Sequence, residues 1–131
     1  MTLPFARLVR VSHEAQSDLE LVRFEFDRSV AGTVTATAAE AAPGPYLEAS
    51  SNAAVAPAGG RLTSVRIDGL IGDAATDRLR SGANDPYGIR EVVQVADEAG
   101  PRWIVGTIES ACLRFRANVD AGLIVLSVTP G

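Results

Sequence analysis

The chain has 131 residues and a formal net charge of −4, which results from 16 carboxylates and 12 cations, all of them arginine. One domain of this length can bury a sizeable core without disulfides or a structural metal. No run of about 18 uncharged apolar residues is present, which excludes a membrane-spanning helix. The acidic balance argues against a protein that binds the phosphates of nucleic acids. Composition therefore predicts a soluble, compact single domain over residues 1–131.

The clearest pattern is an alternation of apolar and polar side chains, which is typical of half-buried strands. In the segment 21–27, LVRFEFD, valine and the two phenylalanines share one face. The segment 5–11 alternates more weakly, and Val9 and Val11 are expected on the same face. The polar residues 13–18 between these segments predict a turn, so the two strands are expected to form a hairpin.

The middle of the chain is less regular. Threonines and small apolar residues alternate over 30–38 and predict a third strand, whereas 39–60 is rich in Ala, Pro and Gly and predicts a long loop with a short edge strand around 46–49. The segment 61–67 returns to a strand pattern. The segment 72–80 is the only candidate helix, and an aspartate near its start is suited to cap it.

Turn-forming residues at 81–88 end that helix, and the remainder of the chain predicts strands. These strands cover 89–95, 102–108, 112–119 and 123–128. The last of them is almost continuously apolar, which is typical of a strand that is covered on both faces. The expected fold is therefore all-β, a β-sandwich or a small closed barrel of about seven or eight short strands with at most one short helix.

The chain has little of the usual equipment for catalysis. The only histidine, His13, lies in a predicted turn, and the only cysteine, Cys112, lies in an apolar stretch where a buried thiol is expected. No nucleophile elbow or phosphate-binding glycine motif is present. One His and one Cys leave only carboxylates as metal ligands, and their spacing matches no calcium loop. We therefore expect no catalytic residues, no metal and no cofactor.

The strand arginines are the most distinctive polar feature. On the segment 112–119, Arg114, Arg116 and Asn118 share one face, and their side chains are suited to carboxylate, phosphate or sugar ligands. A solvated outer face of a sandwich would have the same pattern. Arg23 and Arg66 occupy comparable outward positions on other strands, so these residues would merge into one surface if the strands were neighbours.

Two aromatic residues complete the set of candidate ligand-binding residues, because aromatic rings stack on sugars and on guanidinium groups. Tyr87 lies in a predicted turn and is the better candidate for an exposed ring. Trp103 alternates with Val105 and Thr107, which favours the core over an exposed stacking position.

The order of these strands resembles that of AMIN-like domains of actinobacterial envelope proteins. LVRFEFD at 21–27 resembles the family's R-V-V-F-[DE]-[FL]-[DS] strand, and LVRVSH at 8–13 is similar to the preceding V-R-V-G-x-H strand. Downstream, IREVVQV at 89–95 resembles V-R-E-V-x-x-x, and RWIVGTI at 102–108 resembles x-x-x-W-x-x-G-[ILV]. The final pair of strands is similar to P-F-R-V and R-L-V-[VI]-D-[VL], although Gly122 and Ser127 replace the flanking Arg and Asp.

The resemblance implies a β-sandwich without catalytic activity that binds peptidoglycan, another glycan or an envelope protein. Two other hypotheses remain open. One is a cytoplasmic carrier or cyclase-type enzyme that encloses a small apolar molecule between Phe24, Phe26, Trp103 and Phe115. The other is a homodimer that forms through an exposed strand edge. No basic segment with an apolar stretch follows Met1, so the protein is cytoplasmic if Met1 is the native start and belongs to the cell envelope if a leader was removed.

Overall fold

The computed structural model describes residues 6–15, 19–27, 35–49, 51, 53–68, 70–71, 79–80, 88–97, 101–118 and 123–129. Within these ranges all the regular secondary structure is β. The strands are β1 (Ala6–Ala15), β2 (Glu20–Asp27), β3 (Thr35–Glu40), β4 (Tyr46–Leu47), β5 (Ala54–Val55), β6 (Arg61–Asp68), β7 (Leu70–Ile71), β8 (Leu79–Arg80), β9 (Ile89–Val95), β10 (Arg102–Thr107), β11 (Cys112–Asn118) and β12 (Leu123–Thr129). The predicted all-β class is confirmed.

The strands form two five-stranded sheets and one small hairpin. The first sheet has the order β11-β12-β2-β1-β7, and the second has the order β3-β6-β10-β9-β8. Neighbours pair antiparallel in both sheets, except that β1 and β7 are parallel. Each described sheet ends in edge strands and does not close on itself, so the fold is a β-sandwich and not the closed barrel that strand count alone allowed.

The main core lies between the two sheets, as the alternation predicts. Val22, Phe24 and Phe26 of β2 point inward and are buried. Phe24 meets Trp103 of β10 edge-on, with ring centroids 4.8 Å apart and an interplanar angle of 64°. Aromatic pairs prefer this geometry, and each ring buries a large apolar area. This contact joins the central strands of the two sheets.

The weaker alternation of the first strand was misleading. Val11 is 6% exposed, but Val9 is 61% exposed, so the two valines do not share a face. The reason is a β-bulge, because the register between β1 and β2 shifts between Leu8 and Arg10. An extra residue in one strand shifts the alternation by one position, so the residues before the bulge point to the opposite face from the one that the pattern predicts.

The prediction that the last strand is covered on both faces is wrong. β12 alternates between buried and half-buried residues, whereas six of the seven residues of β9 and five of the six residues of β10 are buried. The outer face of the second sheet carries a second apolar cluster of Val55, Leu62, Val93, Val95 and Ile104. The doubly covered strands are therefore in the centre of the second sheet.

The cover on this outer face comes from the segment predicted as a loop. Residues 39–40 belong to β3, and β4 and β5 pair as a short hairpin, which includes the edge strand expected near Tyr46. The chain then returns to β10 in a close backbone contact, in which Gly60 N–H donates to the Thr107 carbonyl at 2.9 Å. We call residues 56–60 the strap.

Several predictions lie outside the described residues. The expected helix at 72–80 falls mostly there, and its last two residues form β8. The expected turns at 13–18 and 81–88 are described only in part. β1 extends to Ala15, so residues 13–15 belong to a strand and not to the expected turn. The first residues of the expected strand 30–38 also lie outside the described ranges.

Candidate functional site

The outer face of the first sheet brings together three of the arginines predicted to bind ligand. Arg116 of β11 pairs with Val125 of β12, and Val125 pairs with Arg23 of β2. The two arginines therefore belong to one cross-strand row, two strand spacings or about 10 Å apart. Arg114 lies on the same face, opposite Ser127. These three arginines share one face of the sheet although β12 separates β11 from β2, and we call this surface the arginine face.

One half of the arginine face is internally neutralised. Arg10 makes a bidentate contact with Glu25, with Nε to Oε2 at 2.9 Å and Nη2 to Oε1 at 3.0 Å. These hydrogen bonds, and then the attraction of the opposite charges, raise the pKa of Arg10 above its usual value. Arg23 forms an ion pair with Glu14. Arg10 of β1 and Arg23 of β2 are thus already paired with carboxylates.

The other half of the arginine face carries cations without such partners. Arg114 and Arg116 are exposed, and neither forms an ion pair with any residue in the part of the chain that the structure describes. Between them and Arg23 lie the half-buried Val125 and Ser127 of β12. A guanidinium group presents five donors in a rigid fork that matches a carboxylate or a phosphate. This half of the face can therefore receive an anionic or hydroxyl-rich ligand.

Arg66 was expected to contribute to the same surface, but the structure places it on the second sheet. Its Nη2 lies 2.5 Å from Asp97 Oδ2. Arg102 donates to Ser64 Oγ at 2.7 Å and lies over the ring of Tyr46, 5.5 Å from its centroid. This polar cluster borders the β4–β5 hairpin and fixes it against the sheet, so Arg66 belongs to a structural contact on the opposite side of the domain.

The remaining predicted site residues are Trp103, Tyr87 and Asn118. Trp103 is 0% exposed and lies in the core, so it does not present a ring to a ligand. Its Nε1 has no hydrogen-bond partner among the described residues. Tyr87 lies outside the described residues. Asn118 is the last residue of β11 and pairs with Leu123. Its position is two residues after Arg116, so the backbone places it in the same register as Arg114 and Arg116.

Two residues with reactive side chains are placed differently from expectation. His13 lies within β1 and not in a turn, and its Nε2 is 3.6 Å from Oε1 of the buried Glu20. Cys112 is exposed and not buried, because it begins β11 at the edge of the first sheet. The apolar residues around Cys112 suggested a core position, but the sequence contains no signal for which strand forms an edge.

The sequence patterns did not single out Arg61. The structure places this arginine at a second polar surface, apart from the arginine face. Arg61 lies where the edges of the two sheets meet, and its Nη1 donates to the Ala111 carbonyl at 3.3 Å. It lines a cavity together with Glu40, Thr63 and Arg114. The residues that flank Arg61 in sequence give no hint of this cavity, because its other wall comes from a strand about 50 residues later.

Within the described ranges, no group of three or more His, Cys, Asp or Glu side chains is placed to hold a metal ion. No helix in the same ranges has the length and apolar character needed to cross a membrane.

The fold and the arginine face together define the structural class of this protein. It is an all-β domain of two sheets with arginines on the outer face of one sheet. Comparison with known proteins finds no matching family model, no similar curated protein and no similar solved structure.

Proposed function

We propose that this chain is a non-enzymatic binding module of the AMIN-like type, which recognises peptidoglycan or a related envelope glycan through the arginine face. The observation that supports the proposal is the pair Arg114 and Arg116 on β11. Both side chains are exposed, and within the described residues both lack a carboxylate partner. The resemblance of the strand motifs to AMIN-like domains supports the same ligand class.

The chemistry of the face fits this ligand class. Peptidoglycan offers peptide carboxylates, which bind guanidinium forks through two parallel hydrogen bonds, and sugar hydroxyls, which bind single donors. Both arginines lie on one strand at alternate positions, so their Cα atoms are about 7 Å apart along the strand. Such a ligand would therefore contact both forks at once, and the pairing of Arg23 with Glu14 leaves β11 as the main cationic element of this face.

The alternative of a carrier or cyclase with an interior cavity receives no support from the core. Phe24, Phe26 and Trp103 belong to one buried cluster, and Phe115 packs against it. These four side chains were the expected walls of the cavity, and they instead fill the space between the sheets. We therefore do not propose this second function.

Replacing both β11 arginines tests the proposal. We expect Arg114→Ala with Arg116→Ala to reduce co-sedimentation with purified cell wall at least about tenfold, because charge-assisted hydrogen bonds to two forks are lost. The melting temperature should stay nearly unchanged, because both side chains are exposed. Pelleting assays over a range of cell-wall concentrations measure the first effect, and thermal unfolding measures the second.

Arg66→Ala is the control. Arg66 lies on the outer face of the other sheet, and its replacement by alanine also removes a positive charge. It should pellet with cell wall as the wild type does. The proposal is wrong if the wild-type protein does not pellet, or if the double variant pellets as well as Arg66→Ala.

A further inference from the structure

An open cleft lies between the edges of the two sheets. It has a volume of about 410 Å³ and is bordered by β3 on one side and β11 on the other. β3 is an edge strand of the second sheet, and β11 is an edge strand of the first sheet. A second cavity of about 330 Å³ adjoins it under the strap, and Glu40 and Arg61 line both. Arg61 therefore borders both cavities.

The charge of the cleft is opposite to that of the chain. Two guanidinium groups, Arg61 and Arg114, and one carboxylate, Glu40, line it, in a chain whose net charge is −4. The hydrogen bond from Arg61 to the Ala111 carbonyl holds the guanidinium across the gap between the sheets and uses one of its five donors. The remaining donors of a fixed fork are suited to an incoming carboxylate.

The edge strand β3 provides a second kind of binding group. It pairs with β6 in unbroken register from Thr35↔Asp68 to Glu40↔Thr63, and five of its six residues are exposed. An edge strand presents a row of backbone N–H and C=O groups that another strand can pair with. Proteins usually protect such edges by shortness, by a bulge, by a covering segment, or by charged residues or Pro.

β3 has only one of these protective features, the charged Glu40 at its last position, and the other described edges are shorter or carry more charge. β7 and β8 have two residues each, and β11 carries Arg114 and Arg116. β3 has six residues of sequence TATAAE, without Lys, Arg or Pro. Its small side chains leave room for a neighbouring strand, and six residues provide an edge about 20 Å long.

We propose that β3 pairs with an extended acidic segment of a partner protein, which adds a strand to the second sheet and places a carboxylate in the cleft near Arg61. Backbone pairing supplies affinity in this mode of binding, and pockets for alternate side chains supply specificity. An acidic segment is favoured over a second copy of this chain, because β3 contributes only one carboxylate, Glu40, and no other charge to such a pairing. The site is separate from the arginine face, apart from Arg114 at their common border.

The test uses a fluorescently labelled ten-residue peptide that alternates Glu with Thr and Val, and a matched peptide with Lys in place of Glu. We expect the acidic peptide to bind the wild-type protein in fluorescence anisotropy at least about tenfold more tightly than the basic peptide. Cys112 is the only cysteine, is exposed and lines the cleft, so it reports occupancy directly. The acidic peptide should slow its alkylation by N-ethylmaleimide several-fold.

Two variants locate the binding within the cleft. Arg61→Gln removes the central charge, and Ala38→Glu adds a carboxylate to an exposed position of the cleft without removing any side-chain hydrogen bond. Each should weaken binding of the acidic peptide about tenfold. Thr37→Glu is the matched control, because it adds the same charge to the same strand but on the opposite face, where Thr37 pairs with Arg66. It should change the affinity less than about threefold.

The outcomes separate this proposal from the proposed function. Arg61→Gln should still pellet with cell wall, and Arg116→Gln should still bind the acidic peptide. The proposal is overturned if the wild type binds neither peptide or binds both equally. It is also overturned if Cys112 is not protected, if Thr37→Glu and Ala38→Glu act alike, or if sedimentation shows a dimer that Ala38→Glu dissociates, since the occupant would then be a second copy.

Discussion

Replacing Gly106 with alanine is expected to destabilise this protein by about 3 kcal/mol or more, because there is no room for a side chain at this position. A Cβ on Gly106 would lie 1.7 Å from the carbonyl oxygen of Ala58 and 2.8 Å from its carbonyl carbon. Both atoms belong to the backbone of the strap, so no rotation of a flexible side chain can relieve the overlap. Either the strap or the central strand β10 has to move.

The cost is large because the strap is anchored in three ways. Ala58 N–H donates to Oε1 of the buried Glu91 at 3.2 Å, and Gly60 N–H donates to Thr107. Gly59 has a φ of +147° and lies against Gly106 and Thr107, a conformation and a distance that only glycine tolerates. The strap also directly follows Val55 of the second apolar cluster, so its movement is expected to disturb that cluster.

Urea denaturation of Gly106→Ala measures this effect, and Gly60→Ala is the matched control. A Cβ on Gly60 would meet Cγ of Glu109 at 2.9 Å, and the exposed Glu109 side chain can rotate away. We expect Gly60→Ala to cost less than about 1 kcal/mol. Equal denaturation midpoints for the two variants would show that the close contact between Ala58 and Gly106 does not hold the strap.

The second large effect is expected at Glu20, whose carboxylate joins the two sheets. Glu20 belongs to β2, is 0% exposed, and its Oε2 accepts a hydrogen bond of 2.6 Å from the Ile89 N–H of β9. We expect Glu20→Ala to lower the free energy of unfolding by about 3 kcal/mol, since the variant removes a charged acceptor from a buried site and leaves a cavity. Glu20→Gln keeps an acceptor oxygen of similar size, and its cost should be smaller, about 1 kcal/mol.

Two measurements distinguish this interaction from a general effect of losing a carboxylate. Hydrogen exchange of the Ile89 amide should become faster in Glu20→Ala than in the wild type. Glu14→Ala is the control, because Glu14 lies on the same hairpin but is exposed and paired with Arg23, and its loss should cost no more than about 0.5 kcal/mol. Equal stabilities of Glu20→Ala and Glu14→Ala would contradict the role of Glu20 in joining the sheets.

These two sites also show where sequence reasoning ends. Glu20 continues the inward alternation of Val22 and Phe24, and a carboxylate at this inward position needs polar partners, which include the Ile89 N–H on the other sheet. Gly106 is one glycine among 12, and only its contact with Ala58 distinguishes it. In both cases the decisive partner is distant in sequence, so neither role could have been predicted from the local pattern.

The candidate site was predictable to a similar extent. Alternation correctly placed Arg114 and Arg116 on the outward side of their strand, and it favoured the core position found for Trp103. It could not show that β12 lies between β11 and β2, which brings Arg116 and Arg23 into one row. Nor could it show that Arg66 lies on the other sheet, or that β3 and β11 are the edges that border the cleft.

The sequence by itself determined the fold class of this protein, because an alternation with a period of two indicates which side of each strand faces the core. That alternation predicted six of the eight strands with six or more residues closely, and the other two, β1 and β3, only in part. The tertiary structure alone decided the order of the strands, the bulge at Val9, the strap over β10 and the exposure of Cys112. The physical reason is that the burial of one face is a property of each strand, whereas neighbours and edges depend on pairing between segments far apart in the chain.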